Sequence, residues 1–367
     1  KTTLLRHTVT NTLGLVPDES VAFVTPTGKA ATVLIRGGIA ATTLHRLIYQ
    51  SMTEEKEIDV NGKKVKIEKL TFRRRESIDK AIKLIVLDEA SMVSDGVLAD
   101  LLEFGVKLLL CGDNAQLPPV EGLNSCLQTP DFTLRTIVRQ QLDNPIITLS
   151  TLAREGKYIP YGRYGDCVSV MSKRQFYGER RKNYLLKADQ IICGTNKTRA
   201  SINEEIRKLK RLGPLPESGD KLICTLNNWE QYIDGEMRFN LVNGIIGTVY
   251  DPFYDKSSGI GFMQFKPEFL DEFCPEALPF DAGIFIDGQF RYRHGDYFEK
   301  FDENGEPVGA FTLNRFEYGY CISCHKAQGS EFDNAVVFDE SFALKKDKNR
   351  WLYTAITKKK KKLILLR

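Results

Sequence analysis

No stretch of this chain is apolar enough to suggest a membrane-spanning helix. Uninterrupted apolar runs such as Leu84–Leu87 and Leu108–Cys111 are four residues long, where a span needs roughly 18. Neither sign of charge prevails: 52 Lys and Arg face 48 Asp and Glu, a net +4, too small a surplus to argue for a nucleic-acid partner from bulk charge. Cysteine is thin. Eight residues, at 111, 126, 167, 193, 224, 274, 321 and 324, are scattered over 367 positions without the dense spacing of a disulfide scaffold, which points to a reduced compartment such as the cytoplasm. No fixed-period repeat occurs, and the one low-complexity tract is Lys358–Lys362. An initiating Met is missing as well, since residue 1 is Lys and the first strand-like segment begins near Val21. The natural N-terminus is therefore expected upstream, and a signal peptide cannot be read.

What is present is the composition of a globular chain. Hydrophobic residues make up 42% and charged residues 27%, with a mean hydropathy of -0.28, which fits neither a disordered, a collagenous nor a coiled-coil chain. At ~150 residues per domain the length gives two to three domains. Residues 1–50 carry an α/β rhythm: a helix over Thr2–Asn11, a strand over Val21–Val24, a turn at Pro26–Gly28 and a helix from Lys29. Lys83–Leu87 before Asp88, and Lys107–Cys111 before Gly112-Asp113, are expected to be buried strands that each stop at an acidic residue. Ligands of parallel sheets gather at such carboxyl ends. Between them, Asn61-Gly62 is flanked by Ile58, Val60, Val65 and Ile67, a hairpin signal. A second α/β segment runs from about Arg139 to Leu212, with a strand over Gln190–Cys193 and a helix over Thr198–Leu209. Residues 220–320 then hold 21 of the 37 aromatics, the mark of a β-rich module whose Phe and Tyr mainly fill its own interior.

The chemistry-bearing residues come in a fixed order. Lys1-Thr2-Thr3 opens the chain like the tail of a phosphate loop, in which Lys reaches the β and γ phosphates and the hydroxyl holds Mg²⁺, though the glycines that would cradle the phosphates are absent. Asp88-Glu89 ends an apolar strand, as needed for one carboxylate to hold Mg²⁺ and the next to orient an attacking water. Gly112-Asp113-Asn114-Ala115-Gln116-Leu117-Pro118-Pro119 follows about 20 residues later.

With these motifs in order, the sequence resembles the superfamily 1B DNA helicases of the RecD and Dda type, over nearly its whole length. Thr25-Pro26-Thr27-Gly28-Lys29 is similar to motif Ia and Thr42-Thr43-Leu44-His45 to the segment after it. Asp88-Glu89 resembles motif II and Gly112-Asp113 to Gln116 motif III. Val138-Arg139-Gln140 resembles motif IV, and Gly194-Thr195-Asn196-Lys197 the next element. Cys324-His325-Lys326-Ala327-Gln328-Gly329-Ser330-Glu331 is similar to motif V, and Leu352-Tyr353-Thr354-Ala355-Ile356-Thr357 to motif VI. The resemblance implies an α/β fold of two RecA-like P-loop NTPase domains, one over 1–50 and 80–138 and the other over 139–219 and 319–367. It also implies a β-hairpin insert over 51–79, as a pin that splits the duplex, and a small β-barrel insert over 220–318. ATP and Mg²⁺ are the implied cofactors, with Lys1, Thr2, Thr3, Asp88, Gly329 and Glu331 binding the nucleotide, and Thr2 and Asp88 the metal. Glu89, Gln116, Arg139 and Lys358 are the implied catalytic residues. Pro26, Thr27, Thr43, His45, Thr195, Asn196, His325 and Lys326 are the implied contacts to DNA, holding successive phosphates without reading bases.

The expected protein is thus a monomeric, ATP-dependent translocase on single-stranded DNA that opens forked duplex with 5′ to 3′ polarity. A non-hydrolysing single-strand-binding clamp, or an NTPase directed to RNA, is the alternative. One departure from the family pattern bears on turnover: motif VI is usually followed by Arg, and here by Lys358, which supplies charge without a planar fork. Cys321-Ile322-Ser323-Cys324-His325 also matches the C-x-x-C-H haem spacing, but it lies inside the motif V resemblance and is read as strand. Charge is unevenly placed. Residues 339–367 carry ten basic against three acidic residues, so the rest of the chain is net negative and strand binding must rest on placed residues.

Overall fold

The computed structural model describes the chain except residues 1–4, 6, 10–13, 15–18, 61–62, 120–121, 135–143, 293–295 and 302–306, with backbone alone at 51–60, 63–71, 297, 299–301, 307–309 and 360. It divides into two compact units, one of residues 1–114 and 118–133, the other of 115–117 and 134–367. The division falls a few residues before the expected boundary at 138, and Ala115–Leu117 goes with the second unit.

The first unit is built on β1 (Val21–Thr25), α1 (Gly28–Arg36), β2 (Ala41–Thr43), α2 (Leu44–Ile48), β3 (Tyr49–Val60), β4 (Lys63–Arg74), β5 (Leu84–Leu87), α3 (Asp95–Leu102) and β6 (Lys107–Leu110). β2, β1, β5 and β6 lie side by side in a parallel sheet. β5 is buried throughout, as a strand covered on both faces must be, and this explains its unbroken apolar sequence. Val24, Leu44, Ile48, Ile85, Leu87 and Leu101 form one core; Leu5, Val9, Phe23, Leu34 and Val86 form another. The register sets Thr25 opposite Thr43, Val24 opposite Leu87, and Leu87 opposite Leu110, so the loops after all four strands open on one edge. β3 and β4 pair with each other alone in their sheet, in an antiparallel ladder from Tyr49–Arg74 to Val60–Lys63. The Asn61-Gly62 turn falls outside the described residues.

The second unit contains α4 (Pro145–Arg154), β7 (Gly162–Tyr164), β8 (Val168–Met171), α5 (Gly178–Lys187), β9 (Gln190–Cys193) and α6 (Asn196–Leu209). β10 (Lys221–Cys224), β11 (Asn228–Tyr232), β12 (Asn240–Leu241), β13 (Ile246–Asp255), β14 (Ile260–Pro267), β15 (Leu278–Asp281), α7 (Gly283–Ile286), β16 (Tyr297–Phe301), β17 (Pro307–Thr312) and β18 (Phe316–Tyr318) follow. The chain ends with β19 (Cys321–Ser323), β20 (Phe332–Phe338), α8 (Lys348–Thr357) and β21 (Lys359–Leu366). Its main sheet has the order β19-β9-β20-β21-β8-β7, parallel apart from the edge strand β7. α6 begins two residues before the expected Thr198, because the Thr195 hydroxyl accepts the Thr198 N–H at 3.2 Å and caps the first turn. The aromatic-rich region folds as an antiparallel sheet, β15-β14-β13-β10-β18, with two two-stranded ribbons beside it. Phe265, Phe280 and Phe316 are fully buried there and meet in edge and tilted ring contacts, so these aromatics serve as core. Arg207 of α6 fastens this module to the main sheet through a buried ion pair with Asp220 at 2.9 Å, and Asp220 also accepts the Tyr320 hydroxyl. Breaking such a pair leaves an uncompensated buried charge.

Candidate active site and nucleic-acid edge

Asp88 and Glu89 stand where β5 ends. Asp88 is buried, its amide donates to the Val24 carbonyl at 3.0 Å, and its Oδ1 accepts the Glu89 amide at 2.8 Å. Glu89 then takes φ 55° and ψ 36°, a left-handed backbone that costs an L-residue roughly 1–2 kcal/mol. The turn sets the carboxylate with Oε2 buried and without a hydrogen-bond partner. Left-handed non-glycine residues and orphaned buried polar atoms both gather at functional sites. The backbone around them is tightly set. Ala90 donates to Cys111 O at 2.9 Å, and a Cβ on Gly112 would come within 3.0 Å of the Ser91 amide and 2.4 Å of Leu127. A larger residue after β6 would have to displace the Leu127 side chain and crowd the Ser91 amide.

A buried carboxylate beside a second one with an orphaned oxygen is a donor set that fits a hydrated divalent cation and a water. Among the described residues, Asp88 and Glu89 would hold that part of a magnesium nucleotide. Lys1, Thr2 and Thr3, expected on the phosphates and metal, and Arg139, expected on the transferring phosphoryl group, lie outside the described residues.

On the same edge, Thr27 and Thr43 are helix caps: the Thr27 hydroxyl accepts Ala30 N–H at 3.3 Å, and the Thr43 hydroxyl accepts Arg46 N–H at 3.3 Å. Thr43 is buried, while Pro26 and Thr27 are partly exposed. His45 lies with its ring centroid 5.3 Å from that of Tyr49, and local burial lowers its pKa from the usual 6.5. At neutral pH it offers a neutral, hydrogen-bonding ring.

In the second unit the expected residues fall on opposite edges of the main sheet. At the amino end of β20 and β21, Gln116, Gln328 and Lys358 come together: Lys358 Nζ donates to Gln116 Oε1 at 3.4 Å, Gln328 Nε2 donates to Leu117 O at 3.1 Å, and Leu117 N–H donates to Thr354 Oγ1 at 3.0 Å. Gln116 and Lys358 are both buried. The structure therefore joins two of the expected catalytic side chains and adds Gln328 and Thr354, which sit inside the quoted motif stretches. Gly329 is in the left-handed region at φ 72° and Glu331 is exposed, just before β20.

At the carboxyl edge, Cys193 lies opposite Ser323, which brings Thr195 and Asn196 beside His325 and Lys326. A residue the sequence did not single out governs this edge. Buried Glu340, after β20, accepts Gly194 N–H and Thr195 N–H at 2.9 Å each through Oε2, and the hydroxyls of Thr195 and Thr198 at 3.3 and 2.6 Å through Oε1. A carboxylate thus fills the N-terminus of α6, where a phosphate would otherwise fit. The amide and hydroxyl of Thr195 are already engaged, whereas Asn196 and Lys197 remain exposed. The signal that finds Glu340 is the one that found Asp88, an apolar strand ending in adjacent acids. Lys326 pairs with Glu317 at 3.3 Å. His325 has its pKa lowered by burial, against an opposing pull from Asp347. Cys321 and Cys324 are fully buried in separate cores on the two sides of the sheet, which leaves no common site for a haem.

The family model described as an AAA domain matches residues 1–166, and that described as a UvrD-like helicase C-terminal domain matches residues 318–366. The ATP-dependent RecD2 DNA helicase of Deinococcus radiodurans is 24% identical over 353 residues, covering 92% of this chain and 41% of its own length. The chain spans 35–63% of the curated relatives it matches. In fold it is similar to the Pif1 helicase from Candida albicans, with a TM-score of 0.55, 19% identity, and 100% of this chain and 88% of that one covered. It is likewise similar to Bacteroides Pif1 bound to single-stranded DNA, with a TM-score of 0.55, 17% identity, and coverage of 100% and 85%. No described helix is long and apolar enough to cross a membrane. The mixed α/β fold is similar to that of Pif1 RecA-like domains, and the motif order, the two family matches and the RecD relatives all liken the chain to superfamily 1B helicases of the RecD type.

Proposed function

We propose that the chain is the motor of an ATP-dependent helicase that moves along single-stranded DNA and opens duplex, moving 5′ to 3′. The observation that carries this reading is Glu89, a half-buried carboxylate with one buried, orphaned oxygen, in a left-handed turn beside the buried Asp88 at the carboxyl edge of a parallel sheet. Bound Mg²⁺ would supply positive charge to the phosphates, with Asp88 and Thr2 as its protein ligands. Glu89 orients the attacking water and takes its proton at the unpartnered carboxylate oxygen. Gln116, held by Lys358, reads the state of the γ-phosphate, and Arg139 stabilises charge on the transferring group. Lys1 and Thr3 complete the phosphate side, with Gly329 and Glu331 on the nucleotide.

The loops on the carboxyl edges of the two sheets support the strand-binding part of the reading, with Pro26, Thr27, Thr43 and His45 in one unit and Asn196, His325 and Lys326 in the other. Thr195 acts there through the helix it caps. In this reading the β3–β4 ribbon is the pin at the duplex junction, and the antiparallel module over 220–318 is a small barrel that caps the strand. The relative named a DNA helicase and the Pif1 structure bound to single-stranded DNA support DNA as the track. The test is nucleotide hydrolysis by the natural full-length chain with and without single-stranded DNA or RNA, and unwinding of duplexes tailed at the 5′ or the 3′ end. Stimulation by DNA, opening from a 5′ tail, and loss of hydrolysis but not of strand binding in Glu89→Gln are expected. A Glu89→Gln protein that keeps its turnover refutes the assigned role, and binding without stimulated hydrolysis in the natural chain favours the clamp.

A further inference from the structure

The β3–β4 ribbon is long and has no third strand in its sheet. At about 3.4 Å per residue, its twelve paired positions reach about 37 Å from root to tip. A lever of that length is sensitive at its base: a swing of 10° there carries the tip about 6 Å, nearly two base-pair steps at about 3.4 Å each. An isolated two-stranded ribbon has little stiffness of its own. Its direction has to be set where it leaves the domain.

The root is tied by both strands to one helix. Tyr49 and Arg74 form the first rung of the ladder. The Tyr49 hydroxyl donates to Asp100 Oδ2 in a short hydrogen bond. Arg74 Nε lies 4.0 Å from Asp100 Oδ1, its other nitrogen pairs closely with Glu103, and its guanidinium stands 5.6 Å over the Phe104 ring. Arg75 N–H continues the ladder to Ile48 O at 2.8 Å. Beneath this collar, Ile48 and Leu101 are fully buried in the same core. α3 itself starts six residues after Glu89, and its first residue Asp95 is bound by the amide and hydroxyl of Ser125 at 2.7 and 2.8 Å. On the other side of the rung, the Tyr49 ring meets that of His45.

From this arrangement we infer that Tyr49, Arg74, Asp100 and Glu103 are positioning residues for strand separation, a collar that fixes the ribbon's angle to α3 and so holds its tip against a duplex junction. The inference rests on the proposed helicase reading. Among the described residues none of the four touches Asp88, Glu89, Gln116 or Lys358, and Tyr49→Phe keeps the ring against His45, so a loosened collar costs opening of duplex and leaves movement on single strands intact.

The test uses the full-length protein with a forked DNA duplex and, separately, single-stranded DNA. Tyr49→Phe and Arg74→Glu are expected to lower the unwinding rate at least tenfold, while DNA-stimulated hydrolysis and the melting midpoint stay within twofold and within a few degrees of wild type. Glu103→Arg alone is expected to fail like Arg74→Glu. The exchanged pair, Arg74→Glu with Glu103→Arg, restores unwinding to within about threefold. A purely structural role predicts that hydrolysis and unwinding fall together in the single variants, and that result overturns the inference, as does unwinding that the variants leave unchanged. A wild-type protein that hydrolyses ATP on single strands but opens no fork refutes the helicase reading instead, and the collar's role with it.

Discussion

Replacing Glu89 with glycine is expected to make the first unit more stable while abolishing hydrolysis. Two costs are stored at this residue. Its φ of 55° is a conformation that glycine adopts freely and an L-residue only at roughly 1–2 kcal/mol. Its Oε2 is buried without a partner, a burden of about 1–3 kcal/mol for an unsatisfied polar atom. Against these stands the extra backbone freedom of glycine in the unfolded chain, about 0.5–1 kcal/mol. The balance favours Glu89→Gly by about 2 kcal/mol, or roughly 4–8 °C in the midpoint of the unit that carries it. Glu89→Gln separates the two terms, because it keeps the strained backbone and most of the buried polar surface but removes the charge. It should melt close to wild type and still lose at least about a hundredfold in turnover, the usual scale for a lost acid–base group. Calorimetry and steady-state hydrolysis on the three proteins decide the matter. A glycine variant that melts below wild type refutes the claim that strain is stored at Glu89, and a glutamine variant that retains turnover refutes its place in the chemistry.

Two further outcomes follow from the second unit. Lys358→Arg should raise ATP turnover several-fold, since a planar guanidinium can hold Gln116 Oε1 and present a second N–H in a fixed fork, where the ammonium reaches Gln116 Oε1 at 3.4 Å; equal or lower turnover sinks this. Lys359 is buried against Cys167 O, and burial holds its ammonium at about 8 instead of 10.5. Between those values the unfolded chain keeps a proton that the folded chain has released, so stability rises with pH across that window. Lys359→Met should flatten the slope between pH 8 and 10 in urea titrations, and an unchanged slope refutes the assignment.

Much of the fold was legible because strands buried on both faces leave an apolar signature. Leu84–Leu87 and Gln190–Cys193 read as strands and are strands, with Asp88 marking a carboxyl end. The ribbon was only half legible. The Asn61-Gly62 signal and the alternation around it gave the rungs nearest the turn, but the ladder begins at Tyr49, through a stretch rich in Glu and Lys whose sequence offers no apolar alternation to count. The insert was expected at 51–79, a range that holds Arg74 of the root rung but not its partner Tyr49. Contacts made over long separations left no local trace at all. Nothing adjacent to Tyr49 announces Asp100, and nothing adjacent to Gln116 announces Lys358, 242 positions away.

The carboxyl edge of the second sheet shows why motif matching and physical structure diverge at single residues. Gly194-Thr195-Asn196 matches a strand-binding element, and the match treats Thr195 as a donor awaiting a phosphate. Its amide and hydroxyl instead go to Glu340, at 2.9 and 3.3 Å, and a Cβ on Gly194 would fall 2.8 Å from the Glu340 Cβ. The glycine is therefore explained by the close approach of an acid, and the threonine by capping α6 and holding that acid. A carboxylate at a helix N-terminus is electrostatically favourable, so the arrangement is stable before any strand arrives. Under the proposed strand-binding reading, a phosphate approaching this edge would meet a helix N-terminus already filled by a carboxylate and would be taken one residue further on, by Asn196 and Lys197 at the exposed start of α6.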